Sequence, residues 1–267
     1  MNSELINKIK TDGIIRLENF LSKEELSDLK KIVKFYSAPK SSKNSYWPTN
    51  NKLLLYKILK LDFVKFKFSL KILNFEKNKK LKDIADKFYG SKSYLRFIDA
   101  YYSPVSNKNI IDWHTDQAYH GDKNPEKYVN PDHYFLKIFI YLTDVNPLNG
   151  CMSYIPGSHK IGYAIRKGIF EKKISYRPYW HLKDFRKLIM SEENKEYFQN
   201  YFKNQKYLLE KFLDITNNLT NQSSSHNFDY TLKAGSAIIF DEGGVHKGSK
   251  TLQQDRMVLR YIYSNFK

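Results

Sequence analysis

The residues of this chain whose types and spacing suggest chemistry lie in the segment Asp112-Trp113-His114-Thr115-Asp116. In an extended chain, residues two positions apart point to the same side, so His114 and Asp116 can hold one ion between them. By itself a His-x-Asp pattern is common, and two polar residues in a surface loop explain it equally well. The segment therefore predicts a metal site only in combination with ligands from elsewhere in the chain.

Two later features complete such a set. His246 follows Gly243-Gly244 at the end of a strand candidate, where glycines permit a tight turn and close backbone approach. Arg256 opens the last strand candidate, and strand alternation places Arg260 on the same face. An arginine pointing inward from an apolar strand needs an anionic partner, and its fork matches a carboxylate. Two histidines and one carboxylate with open positions opposite them form the facial triad of non-haem Fe(II) oxygenases.

The elements that must position these residues are expected within one domain spanning residues 1–267. Residues 1–92 are mostly helical, and Ser22 followed by Glu25 forms a capping box at the start of one helix. Residues 93–160 and 226–267 have β character, and residues 161–225 are a helical insertion. The predicted strands are 13–18, 93–102, 134–145, 152–155, 227–232, 236–240 and 256–264. The predicted helices are the one starting at Ser22, 53–73, 81–88 and the helical region 184–213.

Composition limits the class of protein. The chain has 267 residues, of which 41% are hydrophobic and 16% aromatic, so it can bury a sizeable core. Its single cysteine, Cys151, can form neither an intrachain disulfide nor a thiolate metal cluster, which fits a reducing compartment. No apolar run approaches the roughly 18 residues of a membrane span, and the N-terminus lacks the apolar stretch of a signal peptide. We expect a soluble cytoplasmic protein without a membrane partner; the sequence predicts no oligomeric state.

The net charge of +17 suggests a nucleic-acid partner, but its distribution does not. Residues 1–100 carry 22 basic and 11 acidic side chains, whereas residues 101–160, which include the His-x-Asp segment, carry 5 and 6. Lysines scattered over helices are typical of a solvated face, and no recognised nucleic-acid-binding motif accompanies them. We therefore expect a small-molecule substrate and no nucleic acid.

Four segments follow one another along the chain: DGIIRLENFLSKEEL, WHTD, LTDVNPLNGCMSYIPGSHK and LKAGSAIIFDEGGVHKGS, the last followed by RMVLRYIY. Their order and spacing resemble the phytanoyl-CoA dioxygenase family of Fe(II)/2-oxoglutarate-dependent dioxygenases. The resemblance is weakest across residues 37–92 and 161–226. It implies a mainly β, α+β fold: a double-stranded β-helix (jelly-roll) core with flanking helices and a helical insertion.

The resemblance also implies roles for individual residues around the metal. His114, Asp116 and His246 would be the catalytic ligands of Fe2+. Arg256 would bind the distal carboxylate of the cosubstrate 2-oxoglutarate, and the Ser249 hydroxyl could assist it.

The assignments toward the substrate leave alternatives open. Arg260 shares the strand face of Arg256 and is a second candidate for the 2-oxoglutarate carboxylate. We assign it instead to an anionic group of the substrate. Tyr101 and Gln117 are further substrate-binding candidates.

The implied reaction is hydroxylation of an unactivated C–H bond in a small or medium metabolite. It consumes 2-oxoglutarate and O2 and releases succinate and CO2, with ascorbate as a possible reductant. Related halogenases lack a carboxylate at the position of Asp116, so its presence favours hydroxylation, and a cationic pocket mouth would favour an anionic substrate. The alternatives are a non-catalytic or differently metallated jelly-roll ligand-binding protein and a nucleic-acid-modifying oxygenase.

Overall fold

The computed structural model describes residues 3–36, 45–47, 63–116, 130–176, 179–219 and 227–267. Within these residues the chain forms strands that pair into two antiparallel sheets, together with helices on the outside. The strands are β1 (Ile14–Leu17), β2 (Ser45–Trp47), β3 (Tyr94–Ser103), β4 (Ser106–Asp116), β5 (Phe135–Tyr141), β6 (Met152–Tyr154), β7 (Tyr179–His181), β8 (Asp229–Tyr230), β9 (Ala237–Asp241), β10 (His246–Thr251) and β11 (Arg256–Ser264). The helices are α1 (Ser3–Asp12), α2 (Lys23–Tyr36), α3 (Phe63–Asn78), α4 (Leu81–Tyr89), α5 (His159–Phe170), α6 (Leu182–Met190), α7 (Glu192–Tyr201) and α8 (Lys206–Asn217).

The chain passes repeatedly from one sheet to the other. The six-stranded sheet has the order β1-β9-β5-β11-β3-β2, and the five-stranded sheet has the order β7-β4-β10-β6-β8. Strands that follow one another along the chain, such as β3 and β4, β5 and β6, or β9 and β10, lie in opposite sheets. This is the winding of a double-stranded β-helix, so the jelly-roll core with flanking helices predicted from the sequence is confirmed.

Strand alternation in the six-stranded sheet separates two apolar layers. In β5, Leu136, Ile138 and Ile140 face the N-terminal helices. Phe139 and Tyr141 lie on the opposite face, which is turned toward the five-stranded sheet. The inner face of this sheet therefore lines the interior in which the candidate site lies.

The N-terminal helices cover the outer face of the six-stranded sheet. Buried residues of α1 to α4 pack in one cluster with residues of β3, β5, β9 and β11. The capping box predicted at Ser22 is present: the Ser22 N–H donates to Glu25 Oε2 at 2.8 Å, and the Glu25 N–H donates to Ser22 Oγ at 3.1 Å. Helix α3 overlaps the second half of the helix predicted over 53–73 and continues to Asn78, and residues 53–62 lie outside the described residues.

The helical insertion packs against the five-stranded sheet. The region predicted as helical over 184–213 consists of α6, α7 and α8, separated at Ser191 and by the turn after α7. Their apolar faces form a cluster with α5, Trp113 of β4 and Val245, which precedes β10. Among the described residues, each helix is too short or too polar to cross a membrane.

Candidate metal and cosubstrate site

The two histidines predicted as metal ligands face each other across neighbouring strands. His114 of β4 and His246 of β10 are direct register partners, and their ring centroids are 4.2 Å apart. Asp116 lies two residues beyond His114, on the same side of β4. One possible ligand atom from each of the three buried residues lies within 4.8 Å of the others. The structure therefore brings His246 next to His114 and Asp116, although it lies 132 positions after His114 in the sequence.

Backbone carbonyls orient both imidazoles. Nδ1 of His114 lies 2.7 Å from the Asp112 carbonyl oxygen, and Nδ1 of His246 lies 2.8 Å from that of Gly244. A carbonyl can only accept, so each Nδ1 must carry the proton and each Nε2 keeps its lone pair. These Nε2 atoms lie 3.8 Å (His114) and 3.7 Å (His246) from the two oxygens of Asp116. Both Nε2 lone pairs can therefore bind a metal ion next to the Asp116 carboxylate.

Burial sets the charges of this group. It lowers the pKa of both histidines, that of His246 to about 3, with the neighbouring His114 adding to the effect. Burial alone would raise the pKa of Asp116, but Lys137 and the two imidazoles outweigh it and hold the pKa of that carboxyl well below its usual range. The set consists of two neutral nitrogen donors and one carboxylate, a combination suited to a divalent cation.

The turn before β10 requires its glycines. A Cβ on Gly244 would collide with the Tyr154 hydroxyl. The Gly243 carbonyl accepts a hydrogen bond from Thr115 Oγ1 at 2.7 Å, which ties the turn to β4 between the two ligand candidates. Close packing of the Tyr154 side chain against Gly244 and the hydrogen bond from Thr115 to Gly243 therefore position His246 beside His114.

Lys137 of β5 was not identified by the sequence analysis. Its side chain is 2% exposed, and its ammonium donates to Asp116 Oδ2 at 2.6 Å. The same ammonium lies 3.2 Å from Oε2 of the buried Glu242. Alternation provides a signal, because Lys137 has the same parity as the inward-facing Phe139 and Tyr141. The identity of its partners depends on the opposite sheet and could not be predicted from the strand alone.

Arg256 begins β11 in a buried position without a counter-ion among the described salt bridges. Its guanidinium carbon lies 5.5 Å from the centroid of the Tyr141 ring. Within the described residues, neither Arg256 Nε nor the Tyr141 hydroxyl has a hydrogen-bond partner, and both are buried. Gly150 makes room for this side chain, since a Cβ there would collide with Arg256 Cδ. Two buried polar groups without a hydrogen-bond partner among the described residues therefore lie next to each other.

Arg260, the second arginine on this face, is already paired. Its Nε donates to Asp99 Oδ1 at 2.6 Å, and its Nη2 donates to Asp99 Oδ2. The guanidinium also lies over the Tyr101 ring, 4.7 Å from its centroid. A buried carboxylate on β3 therefore balances the charge of Arg260.

A cavity of about 220 Å³ joins these groups. Its described lining residues are His114, Asp116, His246, Arg256, Arg260, Lys137, Lys247, Tyr101, Phe139, Ile110, Ile111, Met152 and Gly248. Ser249 is buried on β10 but is not among these lining residues, and its Oγ lies 3.5 Å from Cys151 Sγ. Gln117 lies outside the described residues.

The model of the phytanoyl-CoA dioxygenase family matches residues 9–258 of the chain. The chain belongs to this family. The family predicted from the four sequence segments is therefore confirmed. Ectoine dioxygenase of Nocardia farcinica (strain IFM 10152) is 26% identical over 161 residues, a match covering 60% of this chain and 52% of that protein. The chain thus aligns with about half the length of this relative.

Solved structures share the fold of this phytanoyl-CoA dioxygenase family member at low sequence identity. The non-haem α-ketoglutarate-dependent carbocyclase SnoK from nogalamycin biosynthesis is 12% identical, with a TM-score of 0.56 and coverage of 99% of this chain and 84% of that one. EvdO2 from Micromonospora carbonacea var. aurantiaca, complexed with 2-oxoglutarate, is 14% identical, with a TM-score of 0.53 and coverage of 99% and 91%. HygX from Streptomyces hygroscopicus, with nickel and 2-oxoglutarate bound, is 13% identical, with a TM-score of 0.53 and coverage of 98% and 87%. These likenesses support the fold alone.

Proposed function

We propose that the protein is an Fe(II)- and 2-oxoglutarate-dependent dioxygenase that hydroxylates a C–H bond of a small or medium metabolite. The observation that carries the proposal is one cavity lined by His114, Asp116, His246 and a buried Arg256 without a counter-ion among the described salt bridges. A metal site and an anion site that share a cavity are what an acidic cosubstrate bound to a metal requires.

The donor set fits iron(II). Two neutral imidazoles direct Nε2 lone pairs toward an ionised carboxylate, and all three side chains are buried. Two histidines and a carboxylate leave coordination positions open, as non-haem Fe(II) oxygenases require. We assign His114, Asp116 and His246 as the metal ligands.

The opposite part of the cavity fits 2-oxoglutarate. A buried guanidinium without an anion is costly, and a carboxylate is the group that its fork binds best. Arg256 is the better candidate for this role because Asp99 already occupies two of the N–H groups of Arg260. A purely structural metal site would have no use for such an arginine. EvdO2 and HygX, which share the fold, are described with 2-oxoglutarate bound.

When iron(II), 2-oxoglutarate and O2 are bound, they supply oxidative decarboxylation to succinate and CO2 together with insertion of an oxygen atom into a C–H bond. The residues of this chain would hold and orient the metal and the cosubstrate. His114 and His246 present lone pairs fixed by backbone carbonyls, and Arg256 orients the cosubstrate through its distal carboxylate. Apolar lining residues, including Ile110, Phe139 and Met152, exclude water from part of the cavity.

The decisive experiment measures succinate released from 2-oxoglutarate by the purified protein with iron(II), O2 and ascorbate. We expect slow turnover even without the substrate. The His114→Ala variant should lose iron binding and turnover while retaining the fold. His181→Ala is the matched control, because His181 is an exposed histidine opposite His114 on β7. It should behave as the native protein does.

Other results would contradict the proposal. A native protein that retains zinc and releases no succinate would be a jelly-roll metal or ligand binder. Tight binding to DNA or RNA that weakens steeply with salt would favour a nucleic-acid-modifying oxygenase. Turnover retained in His114→Ala would reject the ligand assignment.

The substrate is proposed by class only. Two of the basic side chains lining the cavity, Lys137 and Arg260, are paired with carboxylates, so its positive charge is smaller than its composition suggests. An anionic substrate should bind more weakly as ionic strength rises, because exposed charges are screened. Substrate binding independent of salt would reject an anionic substrate while leaving the reaction class intact.

A further inference from the structure

Lys137 occupies an unusual position for a lysine. It lies in the middle of the six-stranded sheet, where β5 pairs Lys137 with Phe240 of β9 and with Ile262 of β11. Its parity turns it inward, and 2% of the residue is exposed. An ammonium in such a place is unfavourable unless it is paired and hydrogen-bonded.

The ammonium of Lys137 bridges two carboxylates from different parts of the fold. Asp116 ends β4 in the opposite sheet, and its Oδ2 accepts a hydrogen bond of 2.6 Å from Lys137 Nζ. Glu242, which follows β9, contributes Oε2 at 3.2 Å. The Lys137 side chain therefore spans the interior between the sheets and ends at one oxygen of a metal-ligand candidate.

Charge balance alone does not explain this arrangement. The buried pair of Arg260 and Asp99 shows that one carboxylate can balance one buried cation in this fold. Glu242 could provide the same balance for Lys137, yet the shorter contact goes to Asp116. This contact engages Oδ2, which lies 3.7 Å from His246 Nε2, whereas the other oxygen, Oδ1, lies 3.8 Å from His114 Nε2. Lys137 thus makes the two oxygens of one carboxylate unequal.

We propose that Lys137 is a positioning residue that holds Oδ2 of Asp116 and so leaves a single oxygen of this carboxylate for the metal. The inference rests on the proposed function. Three single-atom ligands leave three of six octahedral positions, two for a chelating keto acid and one for O2. A carboxylate that chelates through both oxygens would occupy one of these positions. Lys137 therefore keeps the cosubstrate position open.

The test uses the protein saturated with Mn(II), a paramagnetic stand-in for iron(II). Proton relaxation of the solvent reports the number of exchangeable waters on the metal, and its decrease on addition of 2-oxoglutarate gives the dissociation constant. Lys137→Met has nearly the same shape but no donor. We expect its water relaxation to fall by about a third, as three waters become two. We expect its 2-oxoglutarate affinity to fall by about 10- to 100-fold, the usual effect of removing a hydrogen bond to a metal ligand.

Lys247→Met is the matched control for charge. Lys247 lines the same cavity and is also buried, but its described contacts include the Trp113 ring and not Asp116. Removing it takes one positive charge from the cavity, so it can weaken an anion such as 2-oxoglutarate electrostatically. It should leave the number of metal-bound waters unchanged. The number of metal-bound waters therefore distinguishes a change in the position of the Asp116 carboxylate from a loss of positive charge in the cavity.

If Lys137→Met does not fold, the double variant Lys137→Met/Glu242→Gln removes the lysine together with its second carboxylate and should show the same loss of water and affinity. Native water relaxation in either folded variant overturns the proposal, even where 2-oxoglutarate binds more weakly. A variant that binds no Mn(II) at saturation also overturns it, because Lys137 would then be needed for the metal itself. A native protein that binds neither Mn(II) nor 2-oxoglutarate rejects the proposed function instead.

Discussion

The two arginines that β11 turns toward the interior have different surroundings. In the middle of the strand, Arg260 meets Asp99 through two hydrogen bonds, and β3 holds that carboxylate directly opposite in register. At the start of the strand, Arg256 pairs in register with Ser103, which has no charge to offer. Its Nε and the nearby Tyr141 hydroxyl have no hydrogen-bond partner within the described residues.

This difference distinguishes a charge that is balanced within the fold from a charge that can bind a ligand. A buried ion pair that is complete within the chain has both of its charges compensated in the folded state, and losing one partner leaves an uncompensated charge. A buried guanidinium with free donors is completed by a ligand that brings an anion. On this basis we propose that Arg260 balances a charge within the fold and that Arg256 binds the cosubstrate, although the sequence places both on one face of one strand.

The largest effect should come from breaking the complete pair. Asp99→Asn removes the negative charge beside Arg260, and we expect the free energy of unfolding to fall by about 3–5 kcal/mol. Urea denaturation followed by circular dichroism measures this loss. The double variant Asp99→Leu/Arg260→Met should recover most of the stability, because it removes both charges. A loss below about 1 kcal/mol in Asp99→Asn would mean that the pair does not stabilise the fold.

The next largest effect should fall on binding. Arg256→Met should weaken 2-oxoglutarate by about 10- to 100-fold, equivalent to the 1.5–3 kcal/mol of hydrogen bonds to a charged group. Stability without the cosubstrate should change little or increase, because an unpaired buried donor is removed. Calorimetric titration of the metal-loaded protein measures the affinity. Arg260→Met is the comparison: if it loses more 2-oxoglutarate affinity than Arg256→Met, the two roles are reversed.

The sequence was informative where local pattern and spacing determine the outcome. The last strand, predicted over 256–264, has the same limits in the structure, because most of its residues are apolar and several are β-branched or aromatic. The His-x-Asp spacing and the glycine turn before His246 pointed to the three ligand candidates, the family resemblance implied their role, and the structure brings them together. The capping box at Ser22 is a short-range pattern and forms as predicted.

Features that depend on pairing between distant segments were not predicted. β10, with the sequence HKGSKT, has no apolar alternation, and it is a strand because β4 and β6 pair with it on both sides. The partners of Lys137 and Arg260 depend on sheet order and register, which no local pattern specifies. Helices α1 and α5 were also missed as separate elements.

A substitution at Gly150 tests the role of Arg256 in another way, because it displaces the Arg256 side chain without removing its charge. Gly150 has a φ of 68°, and an added Cβ would strike Arg256 Cδ and lie 3.0 Å from Thr251 Cγ2. Gly150→Ala should therefore cost about 1–3 kcal/mol of stability, as for other overpacked sites. It should also weaken 2-oxoglutarate, but by less than Arg256→Met. Unchanged affinity in a folded variant would show that the position of Arg256 does not matter for the cosubstrate.

The smallest effect is expected from removing the Tyr141 hydroxyl. The Tyr141 hydroxyl is buried beside Arg256 without a hydrogen-bond partner among the described residues. Tyr141→Phe retains the ring under the guanidinium and removes only the donor, so stability should stay within about 1 kcal/mol of the native value. If the hydroxyl and Arg256 serve the same carboxylate, 2-oxoglutarate should bind about 3- to 10-fold more weakly, the effect of one neutral hydrogen bond. Unchanged affinity would limit the anion site to Arg256 alone, since the two groups would then be neighbours without a common ligand.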